Sequence, residues 1–386
     1  MSLSWCPSRV LLQSAAGGKG MIERGSAIRT TMNAASSTIR LRYWGVTGSF
    51  ANPLPPEWVE RKLVRALGQL CRSDRFIERL SEFARDSDAL ARFVEHHVAF
   101  ADRSTFGGNT TCLEIETPRS LVIVDAGSGL RRLGEDLARR WNDASYSGDR
   151  SAHVLLTHAH MDHTFATPFF DPYYDKRNSF HVWGSEKVMR SLNAVLSPSS
   201  ALRSTYFPLT FELMDGLDRF TTITDHEDFT IEEEIRVRTL PLNHPGGCMA
   251  YRLDVGGRGI VVATDHEPTE SPDAALISFC RDAELLYIDA QYTRAEYEGR
   301  KGIAEEPPLE RRGWGHGTIE SAIDTALAAN ARRVRIGHHE PRRTDERLLE
   351  MESYARSLLS AELARRDLPP DHCDVALARE GASDWV

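Results

Sequence analysis

The segment His153-Val-Leu-Leu-Thr-His158-Ala-His160-Met-Asp162-His163 runs an apolar stretch straight into four potential metal ligands within six positions. At a strand end the period of two puts His158 and His160 on one side, where two imidazoles can converge on one ion. Asp162 and His163 follow where the chain must turn into a helix, which aims them at a second ion nearby. Imidazole and carboxylate donors favour zinc or a similar divalent transition ion over calcium or magnesium. No cysteine lies near the segment, which argues against a structural zinc finger. A lone loop histidine is ordinarily a surface or core residue, but four donors packed behind an apolar run are not explained that way.

Four donors so close in sequence cannot enclose two ions, so others must arrive from distant loops. Leu240-Pro-Leu-Asn-His244 places a histidine at a strand end beside Gly246 and Gly247. Ile260-Val-Val-Ala-Thr-Asp265 places a carboxylate in the same position, and Arg335-Ile-Gly-His338-His339 supplies an imidazole pair. Loops at strand ends are where α/β proteins build their sites. Asp125 follows the apolar run Leu121–Val124, so its carboxylate needs a partner. That partner is either the N–H of a metal-ligating imidazole, making Asp125 a support for the ligand, or its own backbone in a turn.

The elements that must carry these residues are short β-branched runs alternating with helical patterns. Strands are expected at 39–44, 111–116, 121–124, 153–156, 180–183, 235–240, 249–253, 260–263, 285–288 and 334–336. Helices are expected at 57–70, 73–84, 89–98, 130–141, 271–281, 318–329 and 344–366, the fifth capped by Ser271 before Pro272. The architecture is mixed α/β. Leu113-Glu114-Ile115-Glu116 alternates as a strand with one wet face, while Leu121–Val124 reads as buried on both. Residues 53–102 are helical, charged and longer than an ordinary connection, and are expected to be a helical insertion. It either caps the outside of the fold or serves as a substrate lid or dimer arm.

The chain has 386 residues with 47 Lys+Arg against 56 Asp+Glu, a formal charge of −9. That balance, without any basic block, argues against a large nucleic acid held through its phosphates. No apolar run approaches the roughly 20 residues of a membrane-spanning helix. Six cysteines without CxxC pairs suit a reduced, cytoplasmic protein. Residues 1–37 are rich in Ser, Ala, Gly and Arg and lack the apolar core of a secretory signal. They are expected to be a disordered leader, or to precede a true start at Met21 or Met32, with one domain over residues 38–386.

The HxHxDH cluster, the lone His244, the Thr264-Asp265 pair and a histidine after the last strand together resemble the metallo-β-lactamase superfamily. The resemblance implies a four-layer αββα sandwich holding one or two metals between the sheet edges. Arg42-Tyr-Trp-Gly-Val-Thr-Gly48-Ser49, Gly107-Gly-Asn109-Thr-Thr-Cys112, Asp125-Ala-Gly-Ser-Gly129 and Gly313-Trp-Gly-His316-Gly-Thr318 are similar to its phosphodiesterase branch, which includes ribonuclease Z and cyclic phosphodiesterases. Thr47 stands where these relatives often carry Arg, His266 where Thr is usual, and Gly317 where they carry Ser.

Carried over position by position, the resemblance implies that His158, His160 and His244 hold one ion. Asp162, His163 and His338 hold the other, and Asp265 bridges them, with His338 preferred to His339. Two zinc ions, or manganese or iron in their place, would lower the pKa of a bridging water and supply the attacking hydroxide. His316 is the expected proton donor to the leaving oxygen. Asn109 and Thr110 bind substrate or build the Gly107-Gly108 turn, and His339 is a further expected substrate contact. The function expected is a dinuclear zinc hydrolase of a small cyclic or nucleotide-like phosphodiester, with a homodimer admissible. The alternatives are hydrolysis of esters, lactones, thioesters or β-lactams on the same fold, and a di-iron redox or sensing module. The last is disfavoured because such relatives usually carry Glu where His160 stands.

Overall fold

The computed structural model describes residues 38–197, 209–269, 272–304 and 308–386. The expected leader 1–37 and the cap at Ser271 lie outside these residues. Two seven-stranded sheets are present among the described residues. The first contains β1 (Arg40–Gly45), β2 (Cys112–Glu116), β3 (Leu121–Val124), β4 (Ser151–Leu155), β5 (Ser179–Gly184), β6 (Leu217–Thr222) and β14 (Ser383–Trp385), in the order β14-β1-β2-β3-β4-β5-β6. The second contains β7 (Asp228–Ile231), β8 (Ile235–Leu242), β9 (Cys248–Val255), β10 (Arg258–Ala263), β11 (Leu285–Asp289), β12 (Arg333–Gly337) and β13 (Asp374–Leu377), in the order β13-β12-β11-β10-β9-β8-β7.

The period of two sorts apolar side chains between layers. Val122 and Val124 of β3, with Ile260 and Val262 of β10, face the core between the sheets. Ile123 turns outward onto Leu133 and Leu137 of helix Gly129–Asn142. Val261 and Ala263 turn onto the helices Ile319–Ala328 and Asp345–Arg365. Helices therefore cover both outer faces, giving the expected αββα sandwich.

Strands β3 to β6 run parallel to one another, as do β10 to β13. Strand β8 is antiparallel to β9, which is antiparallel to β10, so β8 ends on the same edge as β10. The residues following β3, β4, β8, β10, β11 and β12 thus emerge along common edges.

Between β1 and β2 lie the helices Pro56–Cys71, Asp74–Glu78, Leu80–Phe83, Ser87–His97 and Phe100–Arg103. They share a small core of Leu70, Phe83, Ala89, Phe93 and Val98. The layer is tied to helix Asp345–Arg365 by Lys62 Nζ, 2.7 Å from Asp345, and Arg65 Nη1, 2.7 Å from Glu346. The single helix expected over 73–84 breaks at Arg79, whose guanidinium turns back onto Glu82 and the Phe83 ring.

Glu114 departs from the expected wet face, being fully buried. Its carboxylate accepts from Trp44 Nε1 at 2.7 Å and from Arg140 at 2.5 Å, so a buried charge is paired rather than solvated. Helix Ala274–Phe279 is capped by Asp273, whose carboxylate accepts from the amides of Ala275 and Leu276.

Candidate metal centre

His158 and His160 follow β4, His244 follows β8, Asp265 follows β10 and His338 follows β12. Asp162 and His163 sit on the single helical turn Met161–Thr164. Asp125, Asp265 and His338 have φ of 66°, 53° and 55°, a left-handed backbone that branched side chains rarely tolerate. At each of these strand ends the chain reverses sharply and leaves the side chain at the sheet edge.

These residues form two adjoining donor groups. In one, His244 Nε2 lies 3.1 Å from His160 Nδ1, and His158 Nε2 and His244 Nε2 each lie 3.6 Å from Asp265 Oδ2. In the other, His163 Nε2 and His338 Nε2 are 3.1 Å apart, and each is 3.2 Å from Asp162 Oδ2. Asp265 Oδ1 faces this second group, 3.3 Å from His163 and 3.2 Å from His338. One carboxylate thus presents a separate oxygen to each group.

His158 Nε2 is buried and has no hydrogen-bond partner among the described residues. Such an orphan, among imidazole nitrogens and carboxylate oxygens within 4.8 Å of one another, fits a bound divalent ion. Burial resists ionisation of Asp162 and Asp265, but the surrounding histidines hold both carboxyls well below the usual range. Burial likewise opposes charge on His163, and Asp265, Asp125 and Asp162 together hold its proton well above the usual range. Burial and the neighbouring His163 hold His158 neutral. A proton on His163 and a cation compete for the same lone pair, so binding should release protons.

A shell of polar groups orients the donors. Asp125 accepts from His163 Nδ1 at 2.6 Å and from the Thr157 amide at 2.8 Å. Gln291 Nε2 is 2.9 Å from His338 Nδ1, and the Ser49 amide donates to Asp162 at 2.8 Å. Gly48 permits that approach, since a Cβ there would lie 2.4 Å from His338 Nδ1. Glu267 accepts from the amides of Gly313 at 2.6 Å and Gly315 at 2.8 Å, and the Gly315 carbonyl lies 2.8 Å from His244 Nδ1.

His316 lies beside both donor groups, its ring 5.0 Å from that of His338 and 5.6 Å from that of His244. Asp289 Oδ2 sits 2.9 Å from His316 Nδ1. Burial alone would lower this imidazole's pKa, but Asp289, Asp265 and Asp162 outweigh it and lift the value to about 9. Cations at the centre would offset part of that lift.

A family model described as the beta-lactamase superfamily domain matches residues 121–339, more than half of the chain and all seven of these donors. The chain belongs to this superfamily. Ribonuclease Z of Porphyromonas gingivalis is 22% identical over 274 residues, covering 60% of this chain and 83% of that protein. Integrator complex subunit 11 of Gallus gallus is 21% identical over 197 residues, covering 47% of this chain and 32% of that protein. Among solved structures, the metallo-beta-lactamase fold protein YhfI from Bacillus subtilis superposes with a TM-score of 0.54 at 13% identity, covering 91% of this chain and 100% of that one. Zn(2+)-bound PqqB from Methylobacterium extorquens gives 0.51 at 14%, covering 89% and 99%. At such identities the structural likeness concerns the superfamily fold alone.

All seven expected ligand positions come together, and Asp125 meets a donor imidazole rather than its own turn. Of the imidazole pair, it is His338 that turns into the centre. His339, the expected substrate contact, turns elsewhere: its Nε2 lies 2.8 Å from the Ala378 carbonyl and its ring packs edge-on against Phe106. Asn109 and Thr110 are likewise occupied in building their loop. Asn109 donates to Glu380 and accepts from Ser128, and the Thr110 hydroxyl accepts from the Ser128 amide. Asp289, Gln291 and Glu267 were not singled out from sequence, although Asp289 follows an apolar strand just as Asp125 and Asp265 do.

No described helix is long and apolar enough to cross a membrane.

Proposed function

We propose that the chain is a metal-dependent hydrolase, dinuclear and zinc-loaded, that cleaves a phosphodiester in a small cyclic or nucleotide-like molecule. Residues 38–386 would form one such domain, with residues 53–102 inserted in it. The observation that carries the reading is the placement of Asp265, with Oδ2 facing His158 and His244 and Oδ1 facing His163 and His338. His158, His160 and His244 would hold one ion and Asp162, His163 and His338 the other. Manganese or iron would suit the same donors. Bound there, a pair of divalent ions supplies Lewis acidity and brings the pKa of water towards neutrality.

The chain's own groups supply the rest. Asp125 and Gln291 orient His163 and His338, and Asp265 fixes the spacing of the two donor groups. His316, held by Asp289 and facing the donors, gives a proton to the leaving alkoxide. Exposed Phe50, Phe165 and Trp314 stand next to Ser49, the Asp162-His163 turn and His316, and offer flat faces for a base or sugar.

A second reading is an RNA phosphodiester, favoured by the ribonuclease Z relative, 83% of whose length is covered. The formal charge of −9 weighs against it. Purified, metal-analysed protein should be incubated with cyclic nucleotides, cyclic sugar phosphates, a tRNA precursor, lactones and nitrocefin. Phosphorus NMR follows the phosphate esters. Turnover confined to the tRNA precursor would transfer the assignment to RNA, and turnover confined to lactone or nitrocefin would end the phosphodiesterase reading.

A further inference from the structure

A second polar feature shares loops with the centre. The loop after β11 carries Gln291 and continues through Tyr292 to Arg300 and Lys301. The segment before His316 carries Arg311, and the segment after His338 carries Arg342 and Arg343. Among the described residues, they enclose a recess lined by five cationic side chains, Arg300, Lys301, Arg311, Arg342 and Arg343, and by the acids Glu296 and Glu340. In a chain of formal charge −9 this is a local reversal of sign.

Both acids are already committed. Glu296 pairs with Arg343 at 2.7 Å and Glu340 with Arg342 at 2.5 Å, while Arg300 pairs with Glu298. Arg311 is different. It is only 6% exposed, and its Nε and Nη1 have no hydrogen-bond partner among the described residues. Its guanidinium is held between aromatic rings, 4.7 Å from the Trp314 centroid and 5.5 Å from that of Tyr292. A buried guanidinium that keeps its charge calls for an anion, and its planar fork matches a phosphate or carboxylate. The recess, about 20 Å³, exceeds the roughly 10–15 Å³ a single water needs but is far too small for a nucleoside. It admits one oxygen of an anionic head group, the rest of which would stay at the mouth beside exposed Lys301.

We infer that this recess is an anion subsite, anchored by Arg311 with Lys301 at its rim, that takes a terminal phosphate or carboxylate of a molecule reaching from the metal centre. The extension to substrate rests on the hydrolase reading above, whereas anion binding itself does not. The hydrolysed bond and the recognised anion would then be separate parts of one substrate, which favours molecules carrying a further charged group over simple diesters.

The probe is inorganic phosphate, titrated calorimetrically into full-length, metal-loaded protein, with acetate as the carboxylate arm. Arg311→Gln should weaken phosphate binding roughly tenfold, as loss of one charge-assisted contact implies. Lys301→Gln, at an exposed position, should weaken it severalfold and keeps the test open if the Arg311 variant does not fold. Acetate competing as well as phosphate assigns the site to carboxylates; phosphate alone assigns it to phosphates. Equal phosphate affinity in wild type and a folded Arg311→Gln variant, or in Lys301→Gln where the first variant is unfolded, means a water-filled recess only and overturns the subsite. Hydrolysis is read separately, with a p-nitrophenyl phosphodiester with and without a second phosphate. A rise in KM for only the doubly charged ester in the variant supports the substrate role. Failure to cleave either ester, with Arg311-dependent phosphate binding intact, would strike the hydrolase reading and leave the anion site standing.

Discussion

The Nδ1 atom of His163 lies 2.6 Å from Asp125 Oδ2, and both side chains are fully buried. This contact leaves Nε2 as the atom turned towards Asp162, Asp265 and His338. Asp125→Asn keeps the shape and removes the charge that makes His163 a strong donor. Metal affinity is expected to fall about 10- to 100-fold while the circular dichroism spectrum is retained. Chelator competition measures this, and an unchanged affinity would mean that His163 is oriented by packing alone.

Asp162→Ala and His163→Ala should each abolish turnover and lower bound metal per chain by elemental analysis. Wild-type metal content in both variants would exclude these residues from the ligand set.

His316→Ala should retain metal and lose rate chiefly on substrates with poor leaving groups, because a p-nitrophenolate needs no proton. Asp289→Asn removes the carboxylate that lifts the His316 pKa, so the rate should decline at lower pH than in wild type. Equal losses on p-nitrophenyl and alkyl esters would remove His316 from the role of acid.

Glu267→Gln loosens one carboxylate that holds Gly313 and Gly315, and through the Gly315 carbonyl also His244. Both proton donation and metal retention should weaken in this single variant. Kinetics on alkyl esters together with metal analysis reads the two effects, and a change in neither would show that the loop is held from elsewhere.

His181 lies far along β5 from the centre, its ring stacked 4.0 Å from Trp183. Burial, followed by His153 and Arg219, lowers its pKa to about 3. An unfolded histidine titrates near 6.5, so below that pH the unfolded chain takes up a proton that the folded one refuses. The contribution is present above about pH 6.5 and is lost as pH falls towards 3. Thermal midpoints between pH 7.5 and 5 should slope less steeply in His181→Gln than in wild type, and parallel slopes would refute this.

The strands plainest in the sequence were those buried on both faces, although alternating strands such as β5 and β8 were read as well. Leu121–Val124 and Ile260–Ala263 are continuous apolar runs because each stands between a second sheet and a helix layer. Leu217–Thr222 and Asp228–Ile231 were missed because they lie at sheet edges, where exposed Asp218, Arg219 and Asp228 dilute the pattern. The donors were legible because every one follows an apolar strand or a turn directly after it. Their supports were less so: Gln291 and Glu267 are ordinary loop residues until the fold brings them to His338 and the Gly315 loop. Glu114 misled for the opposite reason, since its alternation is that of a wet face and only Trp44 and Arg140 make it an interior charge.

Strand β14 pairs with β1, joining residues 383–385 to residues 40–42 across the edge of the first sheet. A ribosome making this chain releases β1 hundreds of residues before its neighbour exists. The border of the first sheet is closed only once residues 383–385 are made, so a premature stop near residue 380 would leave the edge of β1 exposed to other nascent chains.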